Sequence, residues 1–509
     1  MIRRSWLGAV AWSFASACAS PPSAADGDAS SSGEPGSSSG GTSATDVSPD
    51  TTSGGPDLPA PDTTPVGIGI ARIELAQGSS VALYRGGAVV EPGDRGAAVV
   101  SDRPALVRVE VELAEDFVAR PIVATLQLET DPGLRPIEDV RMVESGAAPA
   151  FEFAVPAELL RPETAWSVTL AEDEPGTDVG ASVASPTRVP ADAAAALGVA
   201  DGPHTLEIVV VPFDYDDGAG CATSPVLDDA VLQRFEDALY QQLPIDRVVM
   251  TVHAREAWTE PFDELLTVNE RLIELRTAEA AAPQVVYYGI IDACQPQTGV
   301  VGMAYGMLLP TSMEMSFTRC AAGLWWDFDV EEVANTMVHE VGHTLGRLHV
   351  VCGGNEGFPT DGSYPVDGGG LDAWGYGVRD GDVRPVEGTA DFMSYCEPSW
   401  ISRHGWNELQ PVVQEISTWP TDVDQAPVGR VLFGVVGPDG ARPWRVVSGA
   451  TMTEPPRSAT TIDLRVEVDG IVHAITASTW PLPEDPTRTV VVAGLPAGGS
   501  VGRVRWGAG

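Results

Sequence analysis

The residues in this chain best placed to do chemistry are two histidines four positions apart with a glutamate directly after the first, in the run His339-Glu340-Val341-Gly342-His343. On a helix, His339 and His343 project from the same side about one turn apart, so their imidazoles can bind one cation together. The chain continues Thr344-Leu345-Gly346-Arg347-Leu348-His349. Glycine tolerates the left-handed conformation that ends a helix sharply, so Gly346 lets the chain turn back and present His349 as a third ligand. Three of the seven histidines stand in this one motif. The other four, His204, His253, His404 and His473, lack ligand spacing and read as structural. Three neutral imidazoles suit one catalytic Zn2+, which keeps a fourth position for water and lowers its pKa toward ~7. Glu340, beside the ligands, is placed to take that water's proton as general base. This reading needs the fourth corner open; another protein ligand there would close the site.

The element that must carry these residues starts at Asp329, an N-cap acceptor with Glu332 at the third helical position. Val330, Val333, Ala334, Met337, Val338, Val341 and Leu345 then supply a helix-spaced apolar face. Around it, residues 202–415 alternate strand and helix: strand Leu206 to Pro212, helix Leu227 to Leu243, strand Arg247 to Val252, helix Phe262 to Ala280 and strand Val285 to Ile291, then short strands near Val300 to Gly306 and Met313 to Phe317. This pattern predicts an α/β layer. Residues 66–198 read as short strands, with Ala71–Leu75 and Leu106–Leu113 alternating apolar and charged residues, and predict a β-sandwich. Residues 425–509 return to strands, with Asp469-Gly470 as a tight turn between Ile462–Val468 and Ile471–Ile475, and predict a small β domain. The expected architecture is therefore multidomain, an α/β catalytic domain flanked by an N-terminal β-sandwich and a C-terminal β domain.

His339-Glu340-x-x-His343-x-x-Gly346-x-x-His349 resembles the extended zinc signature of the metzincin clan of metallopeptidases, and Asp391-Phe392-Met393-Ser394-Tyr395-Cys396 resembles that clan's Met-turn. The resemblance implies a metzincin-like catalytic domain over residues 202–415, with Met393 as a hydrophobic floor under the three histidines. The Met-x-Tyr order is similar to that of astacins and serralysins, which implies that Tyr395 ligates zinc or stabilises the transition state. It also implies an edge strand that pairs with extended substrate, assigned to Gly299–Gly306. The residue after the third histidine, Val350, matches none of the usual astacin, serralysin, matrixin or adamalysin choices, so the resemblance leaves the subfamily open. Cys352 and Cys396 follow His349 and Met393 by three residues each, so a disulfide between them would tie the ligand loop to the Met-turn. The Gly- and Asp-rich stretch Gly353–Gly377 would suit Ca2+, against the plainer alternative of a solvated loop.

The whole-chain balance narrows the partners. With 72 acidic against 30 basic residues the formal net charge is -42, which disfavours nucleic acid. Arg3 and Arg4 precede an apolar run from Trp6 to Ala17, the order of an export signal and too short to span a bilayer. Its ending, Ala15-Ser16-Ala17-Cys18, resembles the lipobox of bacterial lipoproteins, which implies lipidation of Cys18 after cleavage of the signal, with residues 1–18 as the signal segment. Residues 19–65, rich in Ser, Gly and Pro, read as a disordered tether. Five of the six cysteines fall within 202–415, as disulfides in an exported domain would place them. The expected protein is thus an exported zinc endopeptidase, secreted or anchored at a bacterial surface or outer membrane, with a polypeptide substrate. The alternatives are a surface adhesin with structural zinc and a zinc hydrolase acting on non-protein amides.

Overall fold

A computed structural model describes residues 63–506, apart from 132, 145, 147–148, 175–180, 295–298, 355–356, 422–428 and 449–458. The export signal, Cys18 and nearly all of the 19–65 tether lie outside the described residues. Among those described, no helix is long and apolar enough to cross a membrane.

Alternating apolar residues build the first two sheets. Ile68–Ala76 pairs with Ala105–Leu113, which pairs in turn with Ala150–Val155. Arg120–Thr130 lies between Gly133–Val143 and Ala165–Glu172, all antiparallel. Their inward residues, including Ile70, Val109, Phe153, Leu126 and Trp166, share one core.

The next sheet positions the histidines. Thr205–Asp216 pairs in parallel with Arg247–Val252 on one side and Val286–Ile291 on the other. Val286–Ile291 pairs in parallel with Cys320–Leu324. Gly302–Ala304 then runs antiparallel along the margin. Helices α1 (Asp229–Gln242), α2 (Leu265–Ala278) and α3 (Val330–Thr344) pack on this sheet, and α4 (Arg403–Ser417) follows. Strand periodicity splits the sheet between two cores: Tyr288 and Ile290 face α1 and α3, while Tyr287 and Ile291 face α2.

The C-terminal sheet is built from Arg430–Gly437, Thr460–Val468, Ile471–Leu482, Asp485–Gly494 and Val501–Trp506, with short strands beside the first. Asp469 and Gly470 both take positive φ, 49° and 80°, as a tight two-residue turn requires. One face of the sheet, through Phe433, Trp480, Leu482 and Val490, belongs to the same core as α2.

The fold class expected from sequence is corrected here. Thirty strands stand against four α-helices, so the described architecture is predominantly β, not an α/β metzincin-like domain between separate β modules. Pro61 onward forms one compact unit. The physical reason lies in the cores: α3 is buried together with the N-terminal sheets, and α2 together with the C-terminal sheet. Met313 to Phe317, expected as a strand, lies in a 3-10 helix, Met313–Thr318; Met315 and Phe317 are buried, and the Thr318 hydroxyl donates to Met315 O at 2.9 Å.

Candidate metal centre

α3 begins where the capping residues place it, with the Asp329 carboxylate accepting from Glu332 N at 3.1 Å. His339 and His343 then stack one turn apart, ring centroids 4.9 Å from each other. At the helix end Gly346 has φ 89°, and Arg347 N donates back to Gly342 O at 3.0 Å. That reversal brings the His349 ring to 4.7 Å from His343 and 5.3 Å from His339. A Cβ on Gly346 would stand 2.7 Å from Pro310 Cγ. Gly346→Ala therefore combines roughly 1–2 kcal/mol of left-handed backbone cost with a steric shift of the loop carrying His349. It is expected to weaken metal binding by about tenfold or more in a chelator-competition titration; unchanged affinity would show that this turn does not place His349.

Outer contacts aim the rings. His339 Nδ1 lies 2.8 Å from Phe392 O, and His343 Nδ1 lies 2.7 Å from Arg347 O. With Nδ1–H donating to those carbonyls, each Nε2 keeps its lone pair for a cation. Burial, then the neighbouring His343, lowers the pKa of His339 to about 3. Burial and the other two imidazoles drive His349 lower still. Both therefore favour the neutral, ligating form.

The segment Asp391–Cys396 packs beneath α3 and the ligand loop. Met393 is fully buried, and a Cβ on Gly342 would meet its Sδ at 2.7 Å, so it packs directly under α3. Val350 N donates to Met393 O at 2.9 Å, Tyr395 N donates to Cys352 O at 3.3 Å, and Cys352 and Cys396 form a disulfide, so three links join the ligand loop to this turn. The second disulfide is Cys221–Cys294, and Cys320 is free and buried. Sequence reasoning missed Asp391, whose buried carboxylate accepts from Met393 N and Ser402 N at 2.9 and 3.2 Å and braces the turn. Tyr395 lines the cleft at 43% exposure, its ring 5.1 Å from that of His349.

The fourth donor beside the imidazoles comes from elsewhere. Glu484, in the two-residue turn between Ile471–Leu482 and Asp485–Gly494, places Oε1 2.9 Å from His343 Nε2 and 3.6 Å from His349 Nε2. His339, His343, His349 and Glu484 each offer a ligand atom within 4.8 Å of the others, a group that could hold a metal ion. This departs from the expected open fourth corner. A glutamate in Pro483-Glu484-Asp485 reads locally as a turn, and no periodicity could relate it to α3.

The donor set fits a divalent metal. Four donors held about 2.0–2.2 Å from a tetrahedral centre lie roughly 3.3–3.6 Å apart. His343 Nε2 and His349 Nε2 are 3.3 Å apart. With Nδ1–H of His343 committed to Arg347 O, Nε2 meets the Glu484 oxygen acceptor to acceptor, and a cation turns that repulsion into shared coordination. Neither Glu484 oxygen has a hydrogen-bond partner among the described residues, as expected of a carboxylate aimed at an ion.

Glu340 points beside the ligands instead of among them. It packs against the margin strand, where a Cβ on Gly302 would stand 2.3 Å from its Oε1. Its Oε2 is buried without a partner. Burial first and the Glu484 charge second raise the pKa of Glu340 well above the carboxylate range; a cation between the two carboxylates would oppose both effects. The adjoining cleft, about 320 Å³, is lined by Gly299–Gly302, His339, Glu340, Tyr395 and Glu484.

For the Ca2+ expectation, Asp361 in the Gly/Asp-rich stretch is engaged by Arg347 at 2.8 Å and His404 at 3.0 Å. Among the described residues, no second group of three or more His, Cys, Asp or Glu brings its ligand atoms together closely enough to hold a metal ion. His204 and His253 have structural partners in Gln410 and Glu279.

No family model matches the chain, and no curated protein matches it. Among solved structures, it is similar to the C-terminal domain of wzt at 17% identity, covering 23% of this chain and 66% of that one, TM-score 0.16. It is also similar to a calcium-binding mutant of Bacteroides uniformis beta-glucuronidase 2 at 11% identity, covering 46% and 24%, TM-score 0.13. A third is a crystal structure described as a beta-galactosidase from Bacteroides fragilis, at 9% identity, covering 84% and 73%, TM-score 0.14. Likenesses this weak carry no argument about the chain.

Proposed function

We propose that this protein is an exported zinc endopeptidase in which His339, His343 and His349 hold the metal and Glu340 is the general base. The observation that carries the reading is Glu340: a carboxylate 3% exposed, with one oxygen unpartnered, set beside the imidazoles at the end of a cleft. Burying it is costly, and a purely structural metal site has no use for it. The likeness of the motif and the Met393–Tyr395 turn to metzincin signatures supports the same assignment. The disulfides are compatible with export, and surface anchoring would follow from lipidation of Cys18.

Bound zinc would supply an acidified water and polarise the scissile carbonyl. The chain's own residues do the rest. Glu340 accepts the proton and passes it to the leaving amine. The absence of a side chain at Gly302 leaves room for its carboxyl group. Gly299–Gly302 lines the cleft and would present its backbone to a polypeptide lying there. Tyr395 donates toward the developing oxyanion.

A second reading, structural zinc in a binding protein, is favoured by one observation: Glu484 completes four protein ligands. The two readings separate when zinc-loaded protein, native and Glu484→Ala, is incubated with a complex peptide library with and without chelator. Internal cleavages that chelator abolishes are expected, at least from the variant. No cleavage by either protein at full zinc occupancy would reject the peptidase and leave the structural role.

A further inference from the structure

We infer that the Pro483–Glu484 turn is a built-in stopper of the metal site, with Glu484 acting as a fourth ligand that keeps external ligands out. The geometry of closure stands without the peptidase reading; its consequence, latency, rests on that reading.

The turn is built to reach and to stay. Strand Ile471–Leu482 and strand Asp485–Gly494 are joined by two residues only, and Pro483 restricts the first of them. Pro481 and Pro486 flank the tip, so little backbone freedom is lost in holding it in place. The hairpin also seats beside the cleft. Trp480 Nε1 donates to Tyr305 O at 3.0 Å, just beyond the margin strand, and Pro483 packs where a Cβ on Gly306 would meet its Cγ at 2.7 Å. Only then does Glu484 enter the site, 7% exposed, with Oε1 toward His343 and His349.

The carboxylate has no other duty. Among the described residues neither of its oxygens takes a hydrogen bond from its own sheet or from the loops around it. A glutamate that merely stabilised the hairpin would be met by donors there. Instead its nearest partners are two zinc-type imidazoles and, across the site, the base Glu340. It stands where a water or a substrate carbonyl would have to enter.

The sheet carrying the turn is strapped to α2 by charge as well as by its core. Arg488 meets Glu264 at 2.6 Å, and Arg445 meets Glu270 and Glu274 at 3.2 Å each. Arg442 joins the same cluster, pairing with Glu264 and Glu270. The stopper is therefore held by contacts remote from the metal, and losing Glu484 alone opens the site without undocking the sheet.

The test uses full-length protein loaded with Co2+ and the bidentate probe acetohydroxamate. The native protein is expected to keep its visible absorption spectrum unchanged at millimolar probe. Glu484→Ala and the same-sized Glu484→Gln are expected to show an altered spectrum before probe and a further change on its addition. Their Co2+ affinity should fall on the order of tenfold or more, at least the cost of losing an outer contact. Both should keep the native tryptophan fluorescence, and Glu484→Gln carries the test if the alanine variant does not fold. Native and variant spectra that coincide, or equal probe binding by all three, would overturn the inference. Opening to the probe without any peptide cleavage would support the stopper and reject the peptidase.

Discussion

Glu340→Gln, made in a chain already carrying Glu484→Ala, is expected to retain one zinc per molecule and to lose peptide cleavage by roughly 10²–10⁴-fold, the usual share of general base catalysis. Glutamine keeps the shape that rests against Gly302, where the native Oε1 is in close contact, so the helix and the three imidazoles stay in place. What it loses is basicity. The native Oε2 is buried and unpartnered, and among the described residues Glu484 is the one carboxylate that joins the ligand group, so the double variant removes both carboxylates nearest the imidazoles. Metal content by atomic absorption and cleavage by mass spectrometry give two independent readouts. Full activity in the zinc-loaded double variant would remove Glu340 from the mechanism, and metal loss would instead make it a support of the ligand set.

What could be read from sequence about this site is what is local along the chain. The capping pair Asp329 and Glu332, the four-residue spacing of His339 and His343, and the turn at Gly346 all act within two helical turns, and α3 and its reversal form as those residues dictate. Cys352–Cys396 and the seat of Met393 under Gly342 were reachable too, because they pair two short motifs that each had a recognisable pattern. Glu484 was not. Its approach to His343 joins a turn of the last sheet to a helix far away in sequence, and its neighbours carry only turn chemistry. The fold class failed for a related reason. Periodicity identifies strands and helices but not which sheets share a core, and here Trp166 of the first sheets and Met337 of α3 lie in one cluster. At Met313–Thr318, apolar residues at alternate positions imitated a strand although the backbone tightens into a 3-10 turn.

Metal removal should be felt by the whole molecule, because the cluster ties α3 and its loop to the C-terminal sheet through Glu484. Without a cation, Glu484 Oε1 is left 2.9 Å from His343 Nε2, and the buried Glu340 carboxyl shares the same cavity with it. A ligand that binds only the folded chain stabilises it by about 2.7–4.1 kcal/mol at 100 to 1,000 times its dissociation constant. For a unit of this size that amounts to a melting temperature roughly 3–4 °C higher with zinc than with chelator. His343→Ala removes the central ligand, the one within 5 Å, ring to ring, of both other histidines. In that variant zinc and chelator should give the same melting temperature, while secondary structure by circular dichroism stays native because α3 remains capped and packed. A zinc-dependent shift that survives His343→Ala would place the stabilising ion elsewhere. No shift in the native protein would mean that the three imidazoles and Glu484 do not hold a metal at all.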